Sequence, residues 1–314
     1  MNKNSDIEFN RRLSIAPMMD WTDRHCRYFL RQITQQSLLY TEMITAQALK
    51  HGDVERHLYF REEEQPCALQ VGGSDPGLLA NAAKLGEEYG YKEINFNIGC
   101  PSERVQSGSF GACLMAEPQL VAECVAAMEA VVSVPVTVKT RIGIDDQDSY
   151  EFLHKFVDTI SNQSKCNVFI IHARKAWLSG LSPKQNREIP PLDYERVYRL
   201  KKDFQNLHIS INGGITSLDQ VEEHLKHVDG VMVGREAYKN PYFLAEADQR
   251  IFGQTENNLL DRSEVLKNMA DYIQHETGDG LQARYITRHM MGLFHGQPRA
   301  SAWRKKFAKG EIRV

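Results

Sequence analysis

Asn95-Phe96-Asn97-Ile98-Gly99-Cys100-Pro101 closes a short apolar run and turns at once into polar and reactive residues. The run before Gly99 predicts a strand, the glycine permits a sharp turn, and Pro101 fixes the backbone directly after the sulfur. Most lone cysteines in a protein core act as small hydrophobic residues. Polar neighbours at a strand end argue against that role here, so the stretch predicts that a buried strand delivers the Cys100 thiol to a pocket.

Short β-rich runs alternate with segments of helical periodicity along the chain, a pattern typical of βαβ units and a parallel sheet. The segment 121–132, for example, places its apolar residues on one helix face. Eight β-α repeats predict a TIM (β/α)8 barrel, whose active site lies at the carboxyl ends of the strands. The eight β-rich runs are residues 13–17, 38–42, 67–71, 93–97, 136–139, 168–172, 208–212 and 230–233.

Nearly every predicted strand ends on a polar or conformationally special residue, and this coincidence favours an active site over a set of ordinary turns. A doubly wound sheet stays an alternative. It usually carries a glycine-rich first turn, and residues 18–21 contain no glycine. The strand-end residues are Pro17, Met18, Met19, Glu42, Gln70, Asn95, Asn97, Lys139, Arg141, His172, Arg174, Asn212, Gly213, Gly214, Gly234 and Arg235.

Glycine-containing loops follow the last two predicted strands, at Asn212-Gly213-Gly214 and at Gly234-Arg235. In a TIM barrel these loops are the usual phosphate site, where backbone N–H groups hold the anion and an arginine adds a charged contact. An Asn-Gly pair also favours a hairpin turn, but a helical segment rather than a strand follows Ser217. The two loops therefore predict a site for a phosphorylated cofactor or substrate.

Lys139 and His172 end the fifth and sixth predicted strands, each after an apolar run. A lysine at this place would neutralise negative charge on a flavin ring. Lysines in barrel aldolases instead form Schiff bases, and that role stays open. A lone buried histidine is more often a core residue than a catalyst; the polar residues around His172, including Arg174, favour a functional one.

The chain after Arg235 predicts a small all-α domain at residues 245–314, following a barrel domain at residues 1–244. Asp261 followed by Glu264 has the spacing of a helix start, and Val265, Met269, Tyr272 and Ile273 would form the apolar face of that helix. A second helical spacing, at residues 286–294, ends at Gln297-Pro298.

Basic residues concentrate in two places, although the net charge is −3 and the pI about 6.4. One is the loop with Arg174, Lys175, Lys184 and Arg187 around Trp177, and the other is the segment 299–309. Such segments suit a phosphodiester backbone and a stacked base, yet a solvated surface fits them equally well. Any nucleic-acid binding would therefore depend on local patches rather than on the overall charge.

Other features narrow the class of protein. Neither a signal peptide nor an apolar run long enough to span a membrane is present, so we expect a cytoplasmic protein without membrane contact. The six cysteines show no zinc-type spacing, which predicts free thiols and no metal. We further expect a monomer.

Together the motifs resemble those of the tRNA-dihydrouridine synthase family over essentially the whole chain. The N-x-N-x-G-C-P signature at residues 95–101 resembles the active-site signature of that family. Three further stretches, residues 16–27, 180–192 and 234–241, resemble its A type, which reduces the D-loop uridines 20 and 20a of tRNA. The resemblance implies an enzyme that contains FMN, uses NADPH as reductant and acts on tRNA.

The resemblance also implies roles for individual residues. Hydride would pass from flavin N5 to C6 of uracil, and Cys100 would donate a proton to C5. FMN would contact Pro17, Met18, Met19, Gln70, Lys139, His172, Asn212, Gly213, Gly214, Gly234 and Arg235. Asn95, Asn97, Arg141, Lys184, Arg187 and Arg299 would contact the tRNA. Two alternatives stay open, namely a flavin-dependent barrel oxidoreductase acting on a small pyrimidine-like molecule, and a non-redox RNA-binding protein.

Overall fold

Eight parallel strands form a closed barrel in the order in which they occur in the chain. The computed structural model describes residues 9–102, 108, 110–255, 260–278 and 280–312. The first strand pairs with the last, with Leu13 opposite Val231, so the sheet has no free edge. The strands are β1 Leu13–Ile15, β2 Leu38–Thr45, β3 Cys67–Gly72, β4 Glu93–Ile98, β5 Val136–Arg141, β6 Val168–His172, β7 His208–Asn212 and β8 Gly230–Val233.

The predicted TIM barrel is confirmed, and the doubly wound alternative is wrong because that sheet is open whereas this one closes. Each strand begins at its predicted residue, and β6, β7 and β8 also end at theirs. β3 and β4 end one residue later than predicted, and β5 continues two residues beyond Lys139 to Arg141. The first two strands differ more. The first is shorter than predicted and stops at Ile15, since Pro17 has no N–H for the ladder. The second is longer and continues through Thr45.

Helices surround the barrel and cover the outward faces of the strands. Most begin with an Asp, Ser or Thr whose side chain accepts a backbone N–H, such as Asp23, Asp75 and Ser149. The helices are α1 Arg24–Arg31, α2 Ala46–His51, α3 Val54–Leu58, α4 Pro76–Glu88, α5 Pro118–Glu129, α6 Tyr150–Gln163, α7 Tyr194–Asp203, α8 Leu218–His224, α9 Arg235–Lys239, α10 Ala247–Arg250, α11 Arg262–Thr277, α12 Arg284–Thr287 and α13 Ala300–Ala308.

Strand residues alternate between the space under the helices and the interior of the barrel. Outward residues such as Ile94, Phe96 and Val138 belong to the main hydrophobic core. The inner apolar cluster is small and comprises Ala16, Leu38, Tyr40, Ala68, Val168, Ile170 and Met232. TIM-barrel interiors are usually filled by branched apolar side chains. Here the inward positions of β4 and β5 are polar, and the barrel interior is therefore partly a hydrogen-bonded one.

The carboxyl-terminal helices pack on α1 at the start of the barrel. Tyr272 of α11 stacks on Tyr28 with ring centroids 3.9 Å apart, and its hydroxyl lies 2.7 Å from His25 Nδ1. Glu276 forms ion pairs of 2.6 Å with both Arg24 and Arg61. The Asp261–Glu264 capping box predicted for the start of α11 is present. The helical character predicted for this region is thereby confirmed.

Two details of the carboxyl-terminal region differ from the sequence expectations or go beyond them. Residues 286–294 do not form one helix, because α12 ends at Thr287 and a 3₁₀ turn, Arg288–Met290, follows it. The domain boundary predicted after residue 244 falls inside another 3₁₀ turn, Pro241–Glu246. That boundary stays a prediction. None of the described helices has the length and apolar character that crossing a membrane requires.

Candidate active site at the carboxyl end of the barrel

Three carboxamides line the inner side of β3 and β4, and we call Gln70, Asn95 and Asn97 the amide ladder. Gln70 Nε2 donates to Asn95 Oδ1 at 2.7 Å, and Asn97 Nδ2 donates to Gln70 Oε1 at 2.8 Å. Gln70 and Asn95 are buried, whereas Asn97, nearer the mouth, is partly exposed. The two asparagines face the same side because residues two apart in a strand do so.

Asn97 also holds the turn that carries Cys100. Its Oδ1 accepts the backbone N–H groups of Gly99 at 3.1 Å and of Cys100 at 3.0 Å. The Cys100 carbonyl accepts the N–H of Ala112 at 2.9 Å. The cysteine itself is a partly exposed free thiol. Both the N–H and the carbonyl of Cys100 are thus bonded, while its side chain interacts electrostatically with Lys139 and Arg141.

Arg141 supports the same turn from the next strand. It is 4% exposed, and its Nε donates to the Gly99 carbonyl at 2.8 Å. Its Nη1 donates to the carbonyls of Lys175 and Asn186 at 3.0 and 3.2 Å. Burial and its cationic neighbours lower the pKa of this guanidinium to about 10. In this conformation Arg141 joins the turn after β4 to two points of the loop after β6, and a contact between it and tRNA stays a prediction.

Lys139 and His172 lie on the adjacent strands β5 and β6 at the barrel mouth, as their positions in the sequence predict. Lys139 Nζ donates to Asn212 Oδ1 at 3.3 Å, and Asn212 in turn donates to the Met232 carbonyl at 2.8 Å. Burial, together with the charge of Arg141, lowers the pKa of the Lys139 amine to about 7. Burial also lowers the pKa of His172 well below its usual value, and the neighbouring cations add to the effect.

The glycines after β7 have backbone conformations that favour glycine, with φ of +123° at Gly213 and +73° at Gly214. A Cβ on Gly213 would lie 2.8 Å from His172 Cδ2, so this turn packs directly on the imidazole. Tyr194 fixes the turn from outside by donating to the Gly213 carbonyl at 2.8 Å. After β8, Arg235 forms a 2.8 Å ion pair with Glu188 at the start of α9.

The turn after β1 contributes apolar surface to the same mouth. Thr22 Oγ1 accepts the Met18 N–H at 2.9 Å and donates to the Met18 carbonyl at 3.2 Å, which closes the turn. Met18 packs against the core, whereas Met19 is 55% exposed. Pro17 and Gly234 are partly exposed beside this turn. A flat apolar ligand bound at the mouth would contact these two methionines on one of its sides.

The residues predicted to contact tRNA fall into two groups. Lys184, Arg187 and Arg299 are exposed, and Asn97 is partly so. Asn95 is buried, and both ends of its carboxamide are already bonded. The predicted aromatic partners are not free platforms either. The Lys175 amine lies 4.2 Å from the centroid of the Trp177 ring, and Trp303 stacks on Phe294 with centroids 4.6 Å apart.

Two residues important to the site were missed by sequence reasoning. Asn186 is fully buried and ties its loop together by accepting from Trp177 N and donating to the carbonyls of Trp177 and Leu181. Nothing in the local sequence distinguishes it from its exposed neighbours. The other is Glu93, a charged residue at an inward strand position, which is itself an unusual signal.

No group of three or more His, Cys, Asp or Glu side chains that would suit a metal ion occurs within the described ranges. The site instead combines a thiol, a set of carboxamides and several cations. Four basic residues act electrostatically on His172, namely Lys139, Arg141, Arg174 and Arg187. The arrangement suits anionic ligands and the delivery of a proton by a thiol.

A model of the dihydrouridine synthase family matches residues 14–313 of this chain. Curated relatives agree with it. The chain is 60% identical over 305 residues to the tRNA-dihydrouridine(20/20a) synthase of Escherichia coli strain K12, covering 97% of this chain and 88% of that protein. It is also 60% identical to the synthase of the same name from Vibrio cholerae serotype O1, over 95% of this chain and 90% of that protein.

Among solved structures, the old yellow enzyme homologue from Zymomonas mobilis is similar in fold, with a TM-score of 0.55 over 78% of this chain and 89% of that one. The two sequences are 10% identical, so this likeness concerns the barrel architecture alone. The resemblance inferred from the sequence motifs is confirmed by the family model and by the curated relatives. The chain belongs to the dihydrouridine synthase family.

Proposed function

We propose that this protein reduces the C5–C6 double bond of uridine in the D-loop of tRNA, at positions 20 and 20a, with FMN as cofactor and NADPH as reductant. Curated relatives that share 60% of the sequence over nearly the whole chain carry the name tRNA-dihydrouridine(20/20a) synthase, which supports the substrate and the positions. The single observation that carries the chemistry is the Cys100 turn, held by Asn97 at the mouth of the barrel.

The residues at the mouth fit FMN. The Gly213-Gly214 turn offers backbone without side chains, as close approach of a phosphate requires, and the partly exposed Arg235 adds a cation. Lys139 brings an amine whose pKa of about 7 lets it hold a proton when negative charge is placed beside it. Gln70 and His172 would bond the polar edge of the ring, and the methionines after β1 would cover its apolar surface.

When bound, FMN would supply the hydride that adds to C6 of uracil, with NADPH as the source of both electrons. Cys100 would donate the Sγ proton to C5 and regain it from water, so that one hydride and one proton complete the reduction. A well-placed acid typically contributes about 10²- to 10⁴-fold to the rate. Asn97 would fix the acid, because its side chain bonds the backbone N–H of Cys100.

The tRNA would lie across the cations at the mouth. An aromatic pyrimidine cannot reach the bottom of this site while it is stacked, so the target uridine would leave the tRNA stack. Lys184, Arg187 and Arg299 are exposed and would contact phosphates, which carry affinity rather than sequence specificity. We assign residues 1–244 to catalysis and residues 245–314 to tRNA binding.

Anaerobic spectroscopy tests the proposal. Purified protein should show flavin absorption that bleaches with NADPH and returns when tRNA lacking dihydrouridine is added. Cys100→Ala should still bind FMN and tRNA but lose at least about 10²-fold in the rate of reoxidation by tRNA. Cys113→Ala makes the same chemical change at another partly exposed thiol nearby and should reoxidise at the wild-type rate.

Each negative result has a separate meaning. A protein that takes up no flavin would refute the redox proposal. Reoxidation by a small pyrimidine but not by tRNA would replace the substrate with a small molecule. Wild-type rates in Cys100→Ala would remove the acid role from this thiol.

A further inference from the structure

A continuous chain of hydrogen bonds runs through the barrel interior from the amino end of β4 to the Cys100 turn. Its lower part begins at Glu93, whose Oε1 accepts from Thr137 Oγ1 at 2.7 Å. Thr137 Oγ1 accepts from Asn95 Nδ2 at 2.8 Å. The amide ladder continues from Asn95 through Gln70 to Asn97, which accepts the Cys100 N–H. We call this series, from Glu93 to the Cys100 N–H, the polar chain.

The polar chain has one direction, and Glu93 sets it. A carboxylate only accepts hydrogen bonds, so Thr137 must donate to it and is left to accept from Asn95. Asn95 uses its NH₂ toward Thr137 and therefore directs its oxygen to the NH₂ of Gln70. Gln70 in turn directs its oxygen to the NH₂ of Asn97. The last member, Asn97, must present its oxygen to the N–H groups of Gly99 and Cys100, which can only donate.

The lower end of the polar chain is fixed by strong donors. Arg11 Nε donates to Glu93 Oε2 at 2.7 Å, and Tyr40 OH donates to Oε1 at 2.6 Å. Glu93, Asn95 and Thr137 are 0% exposed, so water cannot substitute for any of these partners from the solvent. Burial and the Glu93 carboxylate both raise the pKa of Tyr40, which keeps its hydroxyl protonated and donating. A buried network is costly when any member loses its partner.

We propose that Glu93 and Thr137 are positioning residues that orient the amide ladder and thereby hold the Cys100 turn in its reactive geometry. Glu93 lies four residues before Asn97 in β4, about 13 Å away along the strand, and Thr137 pairs with Asn95 below the mouth. Both are fully buried, so neither Glu93 nor Thr137 touches the reacting atoms. The geometry of the turn follows from the structure alone. Its importance for proton transfer rests on the proposed function.

Glu93→Gln tests the direction of the polar chain by exchanging one heavy atom. The guanidinium of Arg11 always donates, so the new carboxamide must turn its oxygen toward Arg11 and its NH₂ toward Thr137. Thr137 would then accept from below, and its own hydroxyl proton would have an acceptor only if Asn95 turned its oxygen toward it. The polar chain therefore loses a hydrogen bond either at the Thr137 hydroxyl or, if the ladder reverses, at the Cys100 N–H, where the Asn97 NH₂ would oppose it. In either case we expect the ladder to hold the turn less firmly.

Thr137 variants test the same chain without changing a charge. Thr137→Val keeps the shape of the side chain and removes the hydroxyl. Thr137→Ser retains the hydroxyl and should therefore keep the Cys100 turn as in the wild type. Thr140→Val is the matched control on the same strand, because Thr140 is equally buried and its hydroxyl donates only to the Ile98 carbonyl, at 3.3 Å. Should Thr137→Val fail to fold, Glu93→Gln carries the test.

Hydrogen exchange on a peptide spanning residues 97–101 reads the turn directly and needs no activity. Glu93→Gln and Thr137→Val should exchange the Gly99 and Cys100 amides about 5-fold faster or more, with Thr137→Ser and Thr140→Val close to the wild type. In the same two variants, assayed at saturating FMN because Gln70 of the ladder is also assigned to the flavin, kcat for tRNA should fall by about 10- to 100-fold. KM for tRNA should stay close to the wild-type value, because the exposed cations assigned to the phosphates lie outside the polar chain.

Wild-type exchange in folded Glu93→Gln and Thr137→Val overturns the proposal, and so does a loss of kcat without faster exchange. A wild-type enzyme that tRNA cannot reoxidise would instead refute the proposed function. The exchange experiment would still decide whether the polar chain holds the turn. The two failures are therefore distinguishable.

Discussion

Replacing Lys139 by methionine should make the protein without cofactor more stable, although it removes a residue assigned to the active site. Methionine keeps the unbranched stem and removes the charge. The amine that it replaces is held in the barrel mouth, where burial and Arg141 lower its pKa from 10.5 to about 7. A lysine with a purely structural role would show the opposite effect.

The sign and size of this effect follow from proton binding. Between pH 7 and 10.5 the unfolded state binds the Lys139 proton and the folded state does not, so the destabilisation is fully present below pH 7 and is lost as pH rises through 10.5. It amounts to about 4 kcal/mol at pH 7 and about 2 kcal/mol at pH 9. Loss of the hydrogen bond to Asn212 offsets about 1 kcal/mol.

The free energy of unfolding of Lys139→Met should therefore exceed that of the wild type by about 3 kcal/mol at pH 7 and about 1 kcal/mol at pH 9. Urea unfolding of the flavin-free proteins at both pH values measures this. A rise of about 5 °C in Tm at pH 7 should accompany it. Lys155→Met, on the exposed face of α6, should change stability by less than about 0.5 kcal/mol. A variant less stable than the wild type at pH 7, or a gain that does not shrink by pH 9, would refute the reasoning.

Two further substitutions test the cofactor turn and the packing of the carboxyl-terminal helices. Gly213→Ala should weaken FMN binding at least about 10-fold and lower stability by about 1 to 3 kcal/mol, because its φ is +123° and its Cβ would meet His172 at 2.8 Å. Gly180→Ala is the control, because Gly180 also has a positive φ but an added Cβ there would contact nothing. Equal FMN affinities in the two variants would contradict the assignment of Gly213 to the FMN site. Glu276→Gln should lower the free energy of unfolding by about 1 to 3 kcal/mol in urea, since it removes the carboxylate that Arg24 and Arg61 share. Glu246→Gln, which removes the carboxylate of a surface ion pair with Arg250, should lower the free energy of unfolding by less than about 0.5 kcal/mol. An equal loss in both variants would show that the Glu276 ion pairs stabilise the protein no more than a surface pair does.

Strand positions were predictable because the relevant signals are local. A run of β-branched and apolar residues specifies a buried parallel strand wherever it occurs, and all eight strands begin where such a run begins. Their ends were less predictable. Whether β2 stops at Glu42 or continues to Thr45 depends on its neighbour, since Met43, Ile44 and Thr45 pair with β3 after a shift in register.

In the carboxyl-terminal region, too, locally encoded features were predictable and features that depend on distant contacts were not. The start of α11 is encoded by two residues three apart, Asp261 and Glu264, and it was predictable for that reason. The spacing at residues 286–294 also looked helical. The structure turns there instead, because Arg288 and His289 bond Asp23 in a distant part of the chain. Such contacts override local periodicity.

The candidate site divides in a similar way. Residues at strand ends were predictable, because a TIM barrel brings every carboxyl end to one rim. Their partners were not. Glu93 matters through Thr137 on the neighbouring strand β5 and through Tyr40 on β2, two strands away across the barrel interior. Those contacts depend on strand register and on inward orientation. Roles of the individual site residues toward FMN and tRNA stay predictions.

The pairing of the first strand with the last has a consequence for synthesis of the chain. Leu13 cannot meet Val231 until the ribosome has added the intervening residues, which takes about 10 to 40 s at 5 to 20 residues per second. During that time β1 and the newest strand both expose unpaired edges, which favour association with other chains. Nascent chains that stop before Val233 should therefore depend on chaperones, whereas the finished ring should not.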